Sequence, residues 1–164
     1  MEDIFLVTAS PAEARLSRSI SLLKGLPRWG RNMEARAIPT GGPETILVVD
    51  DEKLIGELVE KFLEGAGYQV IRAANGQDAI DIYRTEKVNI DLVVLDMIMP
   101  GMSGKKCLEH LLEIDPQAKV VIASRFSVDN ETRQFLSKAA KAVVTKPFNM
   151  RELLGSVRRV LDGI

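Results

Sequence analysis

From position 45 onward, short apolar runs alternate with longer amphipathic stretches. Ile46-Leu47-Val48-Val49 is unbroken by polar residues and ends on Asp50-Asp51, which predicts a buried strand. Lys53 to Glu64 follows, with Leu54, Leu58 and Phe62 at the i, i+4 spacing of one helix face and Gly65 and Gly67 marking its end. Tyr68 to Ile71 predicts a second strand, and Gln77 to Thr85 a helix with Ala79, Ile80 and Tyr83 turned inward. Leu92 to Leu95 is the third strand and stops on Asp96; a helix from Lys105 to Glu113 follows. Val120 to Ala123 stops on Ser124, and a helix spans about Asn130 to Lys138. Ala142 to Thr145 stops on Lys146-Pro147, and Arg151 to Leu161 is the last helix. Five strands alternating with five helices predict a parallel sheet covered on both faces, joined by right-handed crossovers.

Residues 1–44 differ in character and read as an N-terminal extension and linker, with residues 45–164 as the regular domain. Ile4 to Val7 could form a strand, and Ser10-Pro11 is a helix start with Leu16, Ile20 and Leu23 on one face. The cluster Pro39-Thr40-Gly41-Gly42-Pro43 is a breaker. Trp29, within Pro27-Arg28-Trp29-Gly30-Arg31, reads as part of a loosely ordered basic stretch.

Composition narrows the chemistry. With 164 residues, 46% hydrophobic and 27% charged, the chain has the make-up of a water-soluble globular protein. A net charge of -1 gives no bulk attraction to nucleic acid. No apolar run is long enough to span a bilayer, and no signal peptide is recognisable, so the expected location is the cytoplasm. The lone Cys107 excludes an internal disulfide, and the lone His110 excludes a metal site needing two histidines. A hard-cation site made of carboxylates remains open.

The strand ends are where polar chemistry collects. Asp96 alone is explained as the point where a strand emerges into water. Its company changes that reading: Asp50 and Asp51 end the first strand, Ser124 the fourth and Lys146 the fifth. In an open parallel sheet these ends share one edge, and ligands bind in the crevice there. Three carboxylates need a counter-charge; Lys146 supplies one unit and Mg²⁺, an oxygen-seeking dication, would supply two. The same groups could cradle a phosphoryl group, with Asp96 as its nucleophile. Asp51 has a rival role as helix N-cap. Cys107 reads as a packed thiol, His110 as solvent-facing, and Met97, Met99 and Met102 as packing for the loop after Asp96.

The residues VVDDE (Val48 to Glu52), LDMIMPGMSG (Leu95 to Gly104), Ser124 and TKPF (Thr145 to Phe148) resemble the receiver domain of bacterial response regulators, over about Thr45 to Leu161. The resemblance implies a flavodoxin-like doubly wound five-stranded sheet of order 2-1-3-4-5 with helices on both faces. It implies Asp96 as phosphoacceptor, Asp51 as direct Mg²⁺ ligand, Asp50 as a ligand acting largely through water, and the backbone carbonyl of Ile98 as a further ligand. Lys146 would pair with the phosphoryl group, across a cis bond to Pro147, and Ser124 would turn toward it. Three positions depart from the family pattern: Arg125 where Ala or Gly is usual, Val143 where an aromatic is frequent, and Ala139 where Gly is frequent. The junction Gly41 to Thr45 also resembles those preceding receivers fused to sensor kinases.

The function expected is a phosphorylation-dependent switch without an output domain of its own and without direct DNA binding. Its donor would be a sensor histidine kinase or phosphotransfer protein, and its output a partner bound through residues 130–161. It is not expected to be an enzyme beyond its own phosphorylation and dephosphorylation. A phosphorylation-independent interaction module and a phosphatase using Asp96 on a free substrate are the rival readings.

Overall fold

The computed structural model describes residues 41–125 and 130–164. The elements expected within residues 1–40, together with Trp29, lie outside the described residues. The predicted strands and helices from position 45 are present: β1 (Thr45–Val49), α1 (Lys53–Ala66), β2 (Gln69–Ala73), α2 (Gly76–Glu86), β3 (Leu92–Asp96), α3 (Gly104–Ile114), β4 (Val120–Arg125), α4 (Asn130–Ala139), β5 (Ala142–Lys146) and α5 (Met150–Asp162). Their ends move by a few residues at most. Tyr68 precedes β2 rather than opening it, and β4 continues past Ser124 to Arg125.

The five strands form one sheet of order β2-β1-β3-β4-β5, every pairing parallel. This is the flavodoxin-like arrangement expected. Side chains alternate between two cores, as the two-residue period of a strand requires. Leu47, Val49, Val93, Leu95, Val120 and Ile122 pack on one face with α2, α3 and α4. Ile46, Val48, Leu92, Val94, Val121 and Val144 pack on the other with α1 and α5. The continuous Val and Leu runs of β3 and β4 therefore have no solvent face to leave polar.

The inward residues expected for α2, Ala79, Ile80 and Tyr83, are buried. Those expected for α1 are not. Leu54 is 79% exposed, Leu58 51% and Phe62 37%, whereas Gly56, Val59 and Leu63 are buried. α1 is closed by Gly67, at φ +110°, and the buried Tyr68, which both donate backbone N–H groups to the Leu63 carbonyl. Val59 and Leu63 pack with Ile46 and Val48 of β1, and the neighbouring apolar stripe is left outside. Gly56 leaves room for Arg72 of β2, whose Nη2 would stand 2.9 Å from an added Cβ.

Candidate functional site

The chain passes from β1 outward to β2 and then returns past β1 to β3. The helices leaving β1 and β3 thus cover opposite faces, and a crevice opens between the two strand ends. Asp50 follows the last residue of β1 and Asp96 is the last residue of β3; both are buried. Lys146 ends β5, and its ammonium reaches into the crevice to Asp96 Oδ2 at 2.7 Å and Asp50 Oδ2 at 2.8 Å. Burial works against the charge on Lys146, but the hydrogen bonds it donates to Asp50 and Asp96 outweigh it and raise its pKa above the ordinary lysine value.

Backbone donors hold the remaining carboxylate oxygens. Glu52 N donates to Asp50 Oδ1 at 2.9 Å and Ile98 N to Asp96 Oδ1 at 3.1 Å. The loop that brings Ile98 N to Asp96 depends on two glycines. Gly101 turns at φ +79°, and Gly104 N donates to the Met97 carbonyl at 3.1 Å. A Cβ at Gly104 would collide with the Asp96 carbonyl oxygen and lie 2.6 Å from Met97 Cα. Met97 and Met99 are buried beneath this loop, as expected. The Lys146–Pro147 bond is cis.

Ser124 is buried, but its hydroxyl donates to the Arg125 carbonyl at 3.0 Å rather than to Asp96. Asp50, Glu52 and Asp96 each offer an oxygen, all within 4.8 Å of one another. Asp51 is half-buried beside this group and is not one of the three. Nor is Asp51 the N-cap of α1: Glu52 occupies that position and makes no side-chain capping bond. The Glu52 carboxylate instead accepts from Arg125 Nη2 at 2.6 Å. The VVDDE run contains Glu52, but the sequence assigns it no contact with Arg125. The available signal was that Arg125 stands one residue past Ser124, in register with Lys146 across β4 and β5.

Among the described residues no non-glycine has a positive φ, so Ala139 carries no left-handed strain. Cys107 is fully buried against α2, with Sγ 3.7 Å from the Gly76 carbonyl, and burial pushes its pKa up to about 11. It is packing, not a reactive thiol. His110 is partly exposed and pairs with Glu113 at 3.1 Å.

Residues 46–158 match the response regulator receiver domain. Over 124 residues the chain is 35% identical to the chemotaxis protein CheY of Treponema pallidum, covering 75% of this chain and 86% of that protein. It is 35% identical over 118 residues to sporulation initiation phosphotransferase F of Bacillus subtilis, covering 72% of this chain and 94% of that one. Among solved structures, the response regulator TrrA of Thermotoga maritima in complex with Mg²⁺-BeF superimposes with a TM-score of 0.63 at 36% identity, covering 71% of this chain and 98% of that one.

Proposed function

The chain belongs to the response regulator receiver domain family, and from that premise we propose that it is a phosphorylation-dependent switch. Receiver domains are signalling switches rather than conventional enzymes, and the family interacts with sensor kinases and phosphotransfer proteins. In this chain Asp96 accepts the phosphoryl group from a phosphohistidine of such a partner. Residues 45–164 form the receiver, preceded by an extension over residues 1–44. The modified domain then acts by binding a further protein through residues 130–161.

One observation carries the reading: a buried ammonium sits between the acceptor carboxylate and a second carboxylate at the switch point of the sheet. In the transfer, an Asp96 carboxylate oxygen forms a bond to phosphorus as the phosphorus–nitrogen bond of phosphohistidine breaks. The electron pair returns to the imidazole, which leaves neutral after taking up a proton. Lys146 is already within hydrogen-bonding distance of the oxygen that becomes phosphorylated or of its twin, so the charge arriving on the phosphoryl oxygens meets a positioned cation. Ser124, one residue beyond the position paired with Asp96, supplies a hydroxyl that turns from the Arg125 carbonyl to the phosphoryl group.

Receiver domains bind Mg²⁺ at an acidic pocket. An all-oxygen donor set with three anions fits that hard dication. The acids that converge are Asp50, Glu52 and Asp96; on the family resemblance we assign Asp50, Asp51, Asp96 and the Ile98 carbonyl as the ligands, and an ion bound there would offset phosphoryl charge and attract the Glu52 carboxylate. Among the described residues no helix is long and apolar enough to cross a membrane.

Incubation with acetyl phosphate and Mg²⁺, followed by intact mass measurement, tests the reading. A stable adduct of one phosphoryl group supports the switch. No adduct supports a phosphorylation-independent module, and rapid multiple turnover supports a phosphatase.

A further inference from the structure

The ion pair between Arg125 and Glu52 plays no part in the acceptor chemistry above. Arg125 ends β4 in register with Lys146, which ends β5, so two cations stand side by side at the carboxyl edge of the sheet. Lys146 is buried and locked by two carboxylates. Arg125 is 61% exposed and Glu52 45%, so their contact belongs with the solvent-screened pairs that contribute little to stability. The Glu52 carboxylate makes no capping bond and offers an oxygen to the group formed with Asp50 and Asp96. The cation beside the acceptor is therefore weakly held, and by an anion that a metal would attract.

We propose that Arg125 is the mobile cation of this site, paired with Glu52 at rest and transferred to the phosphoryl oxygens once Asp96 is modified. The inference rests on Asp96 being the phosphoacceptor and adds a second phosphoryl-binding side chain to that reading. A dication drawn to the carboxylates competes for Glu52 and releases the guanidinium. The phosphoryl group then captures it, because it offers the planar fork of N–H donors three strong acceptor oxygens and more negative charge than one screened carboxylate. The transfer has a mechanical consequence. Arg125 lines a groove with Ile55, Leu58, Phe148 and Met150 on one side, and a second with Leu136, Val143 and Thr145 on the other. It is the wall that the two grooves share, so its relocation reshapes both. Val143 is short and half exposed, so the second groove holds no large side chain there to report the change. Displacement of a charge carries the signal to the face formed by α4 and β5.

The test follows the Arg125 Nε–Hε resonance by NMR in the full chain, identified by its absence in Arg125→Lys. Mg²⁺ is added first and beryllofluoride second, and parallel samples are treated with acetyl phosphate and weighed intact. Mg²⁺ is expected to move the resonance in the wild type and to move it little in Glu52→Gln, where the pair is already broken. Beryllofluoride is expected to displace it again in both proteins, but not in Asp96→Asn. Beryllofluoride affinity is expected to fall about tenfold in Arg125→Ala, the worth of one charge-assisted contact, with partial recovery in Arg125→Lys. A resonance indifferent to beryllofluoride, in protein whose mass shows phosphoryl uptake, overturns the proposal and leaves the role of Asp96 standing. Absence of uptake by the wild type overturns both.

Discussion

Replacing Lys146 by methionine keeps a side chain of similar length and removes the charge between Asp50 and Asp96. The side chains involved are 9% exposed for Lys146, 6% for Asp50 and 4% for Asp96, with contacts of 2.8 and 2.7 Å. Deleting one partner of a buried pair costs about 3–5 kcal/mol, because the remaining charge is stranded away from water. Two carboxylates are stranded here and they repel each other, while the crevice mouth admits some water; ~4 kcal/mol is the expected loss. At ~2–4 °C per kcal/mol for a chain of this size, Tm should fall by about 8–16 °C. Adding Asp96→Asn to Lys146→Met should recover part of the loss, with a coupling of about 1.5–3 kcal/mol in the double-mutant cycle. The pH dependence has a definite sign. Burial opposes the charge on Lys146, but its partners raise the folded-state pKa above the unfolded one. Its contribution is therefore complete below the ordinary lysine pKa of ~10.4 and is lost as pH climbs through the folded value. Urea denaturation without divalent cations, from pH 7 to 11, measures both effects. A difference below ~1 kcal/mol at pH 7 would place the contact among exposed pairs and refute the reasoning.

Other expectations are simpler to check. Mg²⁺ should raise the Tm of the wild type by mass action and should fail to do so in Asp51→Ala; a wild-type Tm unmoved at saturating Mg²⁺ would count against the metal site. Gly104→Ala should destabilise by about 1–3 kcal/mol through overpacking against Asp96 and Met97, and an unchanged melting curve would mean that the loop relaxes freely. Ile98 is exposed beside the acceptor and its side chain offers water no hydrogen bond. Ile98→Asn should therefore speed first-order decay of the phosphorylated protein by up to about tenfold, the worth of one well-placed hydrogen bond. Equal decay rates would remove Ile98 from control of the attacking water.

Most of the sheet was legible because its central strands β1, β3 and β4 are buried on both faces. Leu92 to Leu95 and Val120 to Ala123 have no polar residue to blur their limits, and the polar residue closing each run marks the edge where strand ends meet. Asp50, Asp96 and Lys146 were recoverable for that reason, although 50 and 96 positions separate Lys146 from its two partners. The rotation of α1 was not legible. Leu54, Leu58 and Phe62 have the same spacing as the buried Val59 and Leu63 stripe, and periodicity alone cannot choose between adjacent stripes. The choice is made by packing, since Val59 and Leu63 join Ile46 and Val48 in one core. Glu52 closes the VVDDE run, the cap role was expected of Asp51 instead, and only the structure shows the Glu52 carboxylate turned to Arg125, 73 residues away.

The most direct test of the account is to locate the phosphoryl group. Wild-type protein and Asp96→Asn are incubated with acetyl phosphate and Mg²⁺, weighed intact, then reduced with borohydride, digested and sequenced by mass spectrometry. The account predicts one phosphoryl group on the wild type, reduction to homoserine at position 96 alone, and no label on a folded Asp96→Asn. Full labelling of the folded variant, or homoserine at position 50 or 51 instead, would contradict it.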